Sequence, residues 1–484
     1  MIAGLRPYPV TKESGAPSLG LVPRHWQVRR LRTAVEMSVS NVDKHAHEGE
    51  LPVRLCNYVD VYKNDRIHSV MPFMRATATR DELTRFRIAD GDVLITKDSE
   101  SWDDIGVPAL VVDSADDLVC GYHLAMLRPS VGLLSGAYLF RLIQSTGVAH
   151  QLHLNANGVT RYGLTHSGIK SVWLPVAPRD EQDLIVRFLN HADARIRRYI
   201  RAKQRLIGLL EEQRQAVINR AVTRGLDPGV QLEPSGFEWL GDVPEHWQVV
   251  ALRRHWEVVD CKHVTVPFVD EGIPLASVRE AQAFDLRLET ANRTTPEWYE
   301  RLVEGGRVPQ TGDLVYCRNV SVGAAAYVDT PMQFAMGQDV CLIRSKSENG
   351  RWLNYYLRSP AMARQLAMGL IGSTFNRINV ADVKNLIVPV PPRKEQDRIA
   401  AFLDGEVTAI DQAREGAERE IRLVREYRTC LIADVVTGKL DVREAAAALP
   451  DEPDVVEEID EPALGGGPVD GADDLDELLE EVEA

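Results

Sequence analysis

Four short polar segments carry the residues best suited to contact a ligand. Thr96-Lys-Asp-Ser-Glu-Ser-Trp102 sets Lys97, Ser99 and Ser101 behind one apolar run, and Cys317-Arg-Asn-Val-Ser-Val322 sets Arg318, Asn319 and Ser321 behind another. Further on, Gly158-Val-Thr-Arg-Tyr-Gly163 supplies Thr160, Arg161 and Tyr162, and Gly372-Ser-Thr-Phe-Asn-Arg377 supplies Thr374, Asn376 and Arg377. Arginine and lysine pair with phosphates or guanine, asparagine with adenine, and serine or threonine with either. A lone polar loop is ordinarily just solvated. Recurrence at matching points of two halves of the chain gives these four weight as nucleic-acid contacts.

Bond-making chemistry is harder to find. The sequence holds no Gly-x-x-x-x-Gly-Lys-Ser/Thr phosphate loop, no Gly-x-Ser-x-Gly elbow and no His-Glu-x-x-His pair. The Asn/Asp-Pro-Pro-aromatic motif of amino-methyltransferases is missing, since Pro391-Pro392 lies between Val390 and Arg393. The twelve histidines show no ligand spacing. His25 and His246 each precede a tryptophan, where packing and turn formation explain them better than chemistry. No catalytic residue and no metal ligand is expected.

The elements that carry the polar loops come in two copies. Pro23-Arg-His-Trp-Gln-Val-Arg-Arg-Leu-Arg32 returns as Pro244-Glu-His-Trp-Gln-Val-Val-Ala-Leu-Arg253, with seven of ten positions matching at an offset of 221. Gly91-Asp92 returns as Gly312-Asp313 at the same offset. Residues 175–189 return as 389–403, agreeing at ten of 15 positions at an offset of 214. Arg214, Thr223, Leu226 and Asp227 likewise map to Arg428, Thr437, Leu440 and Asp441. Shared borders imply a shared structural job, and diverging middles imply separate ones.

Each copy has two parts. The first, at roughly 20–174 and 241–388, alternates short apolar runs such as 92–96, 109–112 and 313–316 with glycine turns, which reads as strands. Helical stretches intervene, as at 352–370 with a break at Pro360, so a mixed α/β globule is expected. The second part is helical. After Pro178 the apolar positions are Ile185, Leu189, Ala192, Ile196, Tyr199, Leu206, Leu210, Val217 and Ala221. After Pro392 they are Ile399, Leu403, Val407, Ile410, Ala417, Ile421, Val424, Leu431 and Val435. Steps of three and four make a heptad-like seam, proline pre-sets each start, and Gly225 and Gly438 sit where the helices should stop. Two such helices in one chain are expected to pack on each other.

Composition bounds the rest. With 484 residues, 44% hydrophobic, the chain can build two or three cores. No apolar run approaches 18 residues, so no membrane span is expected. Arg6, Pro7 and Pro9 stand where a secretion signal needs a greasy stretch, and a cytosolic location is expected. Six scattered cysteines, none in a Cys-x-x-Cys pair, read as reduced thiols. The net charge of −15 comes entirely from residues 451–484, which hold 7 Asp, 8 Glu and no Lys or Arg. The remaining body is neutral, with 56 basic and 56 acidic side chains. From 191 to 225 there are nine basic and three acidic residues, so this stretch could lie near phosphate.

Taken together, these motifs resemble the specificity subunits of type I restriction–modification systems. The resemblance rests on Gly20-Leu-Val-Pro-x-His-Trp26 and Trp239-Leu-Gly-Asp-Val-Pro-Glu-His-Trp247, the two Gly-Asp strands, the two Pro-x-x-Glu-Gln helix starts and Val436-Thr-Gly-Lys-Leu-Asp-Val-Arg443. It spans about residues 7–445 and implies a pseudo-twofold mixed α/β fold: two target-recognition domains separated and joined by two long helices in an antiparallel coiled coil. The corresponding segments are 1–174 with an arm at 1–19, a helix at 175–228, a second reader at 229–388, a helix at 389–445 and an acidic, disordered tail at 446–484. The seam would run through Ile185, Leu189, Ile196, Leu210 and Val217, and through Ile399, Leu403, Ile410, Ile421, Val424 and Leu431. The resemblance further implies a non-catalytic DNA reader of a bipartite, asymmetric site. Its partners would be double-stranded DNA, two adenine-N6 methyltransferase subunits and a pair of motor-nuclease subunits. S-adenosylmethionine, ATP and Mg2+ would then belong to those partners and not to this chain. The tail departs from the family pattern. The alternative is a duplicated coiled-coil adaptor without DNA reading; a single-chain enzyme is disfavoured by the absent motifs. A seam from 185 to 221 would span roughly 55 Å at about 1.5 Å per residue, or about one and a half turns of B-DNA.

Overall fold

The computed structural model describes residues 5–370 and 377–451. The chain divides into two compact units, residues 1–203 with 419–484, and residues 204–418.

In the first unit a five-stranded sheet runs in the order Val35–Val39, Leu124–Pro129, Val93–Thr96, Pro108–Val111, Arg66–Ile67, antiparallel until its last pair. Val93–Thr96 is buried at all four positions, which is why it reads as an unbroken apolar run and not an alternating one. In the second unit Glu257–Asp260, Val340–Arg344, Leu314–Cys317 and Ala325–Tyr327 form a four-stranded sheet in the corresponding order. The expected strands therefore appear, and so does the broken helix, as Gly350–Leu357 followed by Pro360–Leu370.

The repeated motifs explain themselves in atomic terms. Gln27–Arg30 pairs antiparallel with Trp173–Val176, and Gln248–Ala251 with Ile387–Val390. Each diverging middle is thus an insert between two paired border strands. Trp26 is fully buried; His25 Nε2 lies 2.8 Å from Glu181 Oε2, and Trp26 Nε1 donates to Glu181 Oε1 at 3.1 Å. His246 repeats this with Glu395 at 2.8 Å. The next residue, glutamine, works on the other side. Gln182 Oε1 accepts from the Ser135 backbone at 3.0 Å and Gln396 Oε1 from Asn349 at 2.8 Å, each at the N-cap of a globule helix. Glu-Gln is therefore a two-armed brace between a helix start and its globule. The Gly-Asp pair is a turn lock. Asp92 accepts from the Ala89 backbone and pairs with Arg128, and Asp313 does the same with Gln310 and Arg344. Gly91 (φ 85°) makes room for Gly136, where a Cβ would meet the Gly91 carbonyl at 1.9 Å.

The two long helices are Arg179–Arg224 and Arg393–Val436, ending on Gly225 and Gly438, both at φ 74°. In the first unit Ile185, Phe188, Leu189 and Ala192 share one core with Leu431, Ile432, Val435 and Val436. In the second, Ile218, Ala221 and Val222 share one with Ile399, Ala400, Leu403 and Val407. Within each unit the two helices therefore run antiparallel. Of the expected seam, Ile196, Ile410 and Ile421 are also buried, while Leu210, Val217 and Val424 are half-buried. Tyr199 and Leu206 depart from expectation: both are exposed, and Ile200 is fully buried beside the former. Tyr199 instead donates its hydroxyl to Glu420, whose carboxylate also pairs with Lys203 at 2.7 Å.

A buried ion cluster fixes the first globule to its helices. Asp193 lies 2.5 Å from Arg141 Nη1 and 2.9 Å from Arg428 Nε, while Asp65 reaches Arg197 at 2.9 Å and Arg428 at 3.3 Å. Burial works against an ionised Asp193, but the flanking guanidiniums outweigh it and hold the carboxyl down at about 2. At the 214 offset, Asp193 becomes Val407 and Arg141 becomes Tyr355. The second unit relies on Asp404 instead, which accepts from Arg351 Nε and Tyr355 Oη, each at 2.7 Å.

Candidate nucleic-acid interface

In the first unit, strand geometry brings the two polar segments into one small sheet. Tyr162–Leu164 pairs with Asp98–Ser99 on one side and hairpins with Ala156–Gly158 on the other. Gly158 is needed there, because a Cβ would meet the Arg161 carbonyl at 1.8 Å. Thr160 and Arg161 stand exposed at the hairpin tip, and Arg161 has no acidic partner among the described residues. Tyr162 is half-buried opposite Ser99.

The remaining expected contacts of this unit are less available. Ser99 is buried, and its hydroxyl accepts from the Ser101 backbone at 3.2 Å. Ser101 donates its own hydroxyl to Asp103. Lys97 lies 3.2 Å from Asp98, which also takes His123 Nδ1 at 2.9 Å. Burial opposes the Asp98 charge, yet the bonds from His123 and Lys97 hold its carboxyl below the usual range. Lys97 can therefore reach a phosphate only by giving up an ion pair. Two exposed apolar residues were not among the sequence candidates: Trp102 beside His153, and Val159 at the hairpin tip. Both lie inside the polar segments, and ranking by hydrogen-bonding capacity passes over them.

In the second unit, Asn319 and Arg377 meet in a single antiparallel bridge. Arg377 is exposed, its guanidinium 3.8 Å from Asp339. Asn319 is half-buried; its side-chain oxygen accepts from the Val320 backbone at 3.0 Å. Ser321 is half-buried and accepts from Gln282 at 3.3 Å. Val320 and Asp339 are the described non-glycine residues at positive φ, 61° and 63°. Left-handed backbone is costly for a β-branched residue, so the exposed valine is held by the bridge around it. Thr374 and Asn376 lie outside the described residues.

Arg318 does not fit its expected role. It is 3% exposed, with Nη2 lying 3.0 Å from Asp260 and 3.8 Å from Cys261 Sγ. A guanidinium so enclosed braces the loop from inside and offers nothing to a base edge. Asp260, Cys261 and His263 bring ligand atoms within 4.8 Å of one another, but a cation there would have to displace Arg318 from Asp260.

Residues 288–416 match the family model described as the type I restriction modification DNA specificity domain. Across the rest of the chain the likeness continues at low identity. A type I restriction enzyme specificity subunit, MjaX, of Methanocaldococcus jannaschii is 20% identical over 434 residues, covering 88% of this chain and 96% of that one. Over most of its length the chain is thus similar to type I specificity subunits. A second specificity subunit of that organism, MjaVIII, is 21% identical over 282 residues, 57% of this chain and 63% of that one. Two solved structures share the fold of this chain. One comes from work on complex assembly and conformational transition of the type I R-M system, with TM-score 0.66, 17% identity and coverage of 86% here and 98% there. The other is the HsdS subunit of Thermoanaerobacter tengcongensis, with TM-score 0.52, 18% identity and the same coverage.

Proposed function

We propose that this chain is the DNA sequence-specificity subunit of a type I restriction–modification complex, non-catalytic in itself. The observation that carries the reading is one sheet frame used twice, with border strands, brace and turn lock kept while the strand-end loops differ. Two readers built on one frame suit a bipartite, asymmetric target. Arg161, Thr160 and Tyr162 would address one half and Arg377, Asn319 and Asn376 the other, with Lys97, Ser101, Ser321 and Thr374 in support, while the buried Ser99 holds its own turn.

The partners follow from the family. Double-stranded DNA and methyltransferase subunits come first; two copies of the latter, and a pair of motor-nuclease subunits, are the finer proposal. S-adenosylmethionine, ATP and Mg2+ would then sit on those subunits. The test is co-expression of this chain with an adenine-N6 methyltransferase subunit, followed by retention on duplex DNA carrying the methylated site. Sequence-specific retention that falls steeply with salt supports the reading. Retention by the partner alone, or equal retention on any duplex, overturns it.

A further inference from the structure

Val320 is 73% exposed and stands at φ 61°, a left-handed backbone that a β-branched residue adopts only at a cost. The carbonyl of Asn319 accepts from the Ser321 amide at 2.6 Å, closing a three-residue turn centred on the valine. With a positive central φ, such a turn is the rare and strained kind. Glycine or asparagine would relax it. A side chain so open to water recovers little of the cost by burial.

The repeated frame does not impose this conformation. At the offsets of 221 and 214 the Asn319–Arg377 bridge is the counterpart of the Asp98–Gly163 pair, and Val320 of Ser99. The first unit keeps that residue in a strand, buried and paired with Tyr162. The second unit keeps the bridge and exposes the residue. Nor is the turn slack. The Arg318 amide donates to the Asp339 carbonyl and the Arg318 carbonyl accepts from Ile378, both at 2.9 Å. The Asn319 side chain takes the Val320 amide at 3.0 Å, and the buried Arg318 guanidinium, held on Asp260, braces the loop from inside. The valine is therefore presented rigidly, one residue from the bridge that carries the exposed Arg377.

What a valine can read is narrow. It has neither donor nor acceptor, and the apolar feature of a base-pair edge is the C5-methyl of thymine, which projects into the major groove. A rigid apolar side chain beside a guanidinium and an amide suits a thymine that neighbours a base contacted by those polar groups. Resting on the DNA-reading proposal above, we propose that Val320 packs on a thymine C5-methyl in the half-site addressed by the second unit, and so helps to set the sequence read there.

The test uses the complex of this chain with its methyltransferase subunit, and duplexes carrying the methylated site. Each thymine of the half-site that changes when residues 254–388 are exchanged is replaced in turn by deoxyuridine, which removes the methyl and leaves every hydrogen-bonding group in place. One replacement should weaken binding by about three- to fivefold, the worth of roughly one buried methyl. Val320→Ala should weaken binding to the thymine duplex by a similar factor and abolish the thymine–deoxyuridine difference at that position. Val320→Gly should do the same while holding or raising the melting temperature, because it relieves the turn. A fall in melting temperature with Val320→Gly would make the valine a structural prop and overturn the proposal. It is also overturned if no thymine of the half-site responds, if V320A keeps the difference, or if V320A weakens binding to every duplex alike. Sequence-specific retention without any response to thymine methyls removes this inference alone, whereas loss of specific retention by the unaltered complex removes the DNA-reading proposal with it.

Discussion

Arg318 and Arg377 lie on adjoining loops and face opposite ways, so substituting each should report on a different property. Arg377→Ala removes an exposed donor and should cost about 1–3 kcal/mol of binding to its own half-site, with relaxed base preference there. A uniform loss on all sequences would make it a phosphate contact. Arg318→Ala removes a guanidinium that answers Asp260 inside the globule. It should lower thermal stability by about 1–3 kcal/mol, read by calorimetry, and leave base preference at the other half-site untouched. The sequence could not separate the two. Both are arginines in a polar segment after a buried strand, and what divides them is a contact across 58 positions of chain, Asp260 to Arg318. Ser99 is the same case, a strand residue whose hydroxyl is spent on its own turn. Arg161 was legible because the glycines that frame it fix a hairpin whose tip has nowhere to point but outward.

The helices, their starts and their stops could all be read in advance, since prolines, glycines and a three-and-four spacing are local signals. What could not be read is the seam's centre. Tyr199 and Leu206 fit the heptad as well as Ile200 does, and only the Glu420 and Lys203 contacts draw Tyr199 out of it. Nor does spacing disclose how each globule is bolted on. Asp193 sits among apolar seam positions and looks like an interruption, yet it is the hub of the ion cluster. Asp193→Asn should destabilise the protein by about 3–5 kcal/mol, because two enclosed guanidiniums lose their counter-charge. Asp404→Asn, whose neighbours are more open to water, should cost less. The pH dependence has a defined sign. The folded Asp193 carboxyl lies near 2, below an unfolded value near 3.9. Its contribution is complete above about pH 4 and is lost as pH falls towards 2. In the Asn variant this part of the acid limb should flatten.

For the molecule as a whole, charge is segregated. A neutral body carries local cationic loops, and the −15 resides in residues 451–484. Binding of DNA by the isolated chain should be weak and should fall steeply between low and moderate salt, as titration at several ionic strengths would show. The two-copy plan was legible from the borders because the brace and the turn lock demand particular residues at fixed places. The diverging middles were not, because the frame leaves them free, and that freedom is what the account assigns to target choice. The most direct test exchanges residues 254–388 for the matching insert of another specificity subunit and maps methylated adenines in cells that also make the methyltransferase partner. The account predicts that one half of the methylated sequence changes while the other half and the spacing persist. A change in both halves, or in neither, would contradict it.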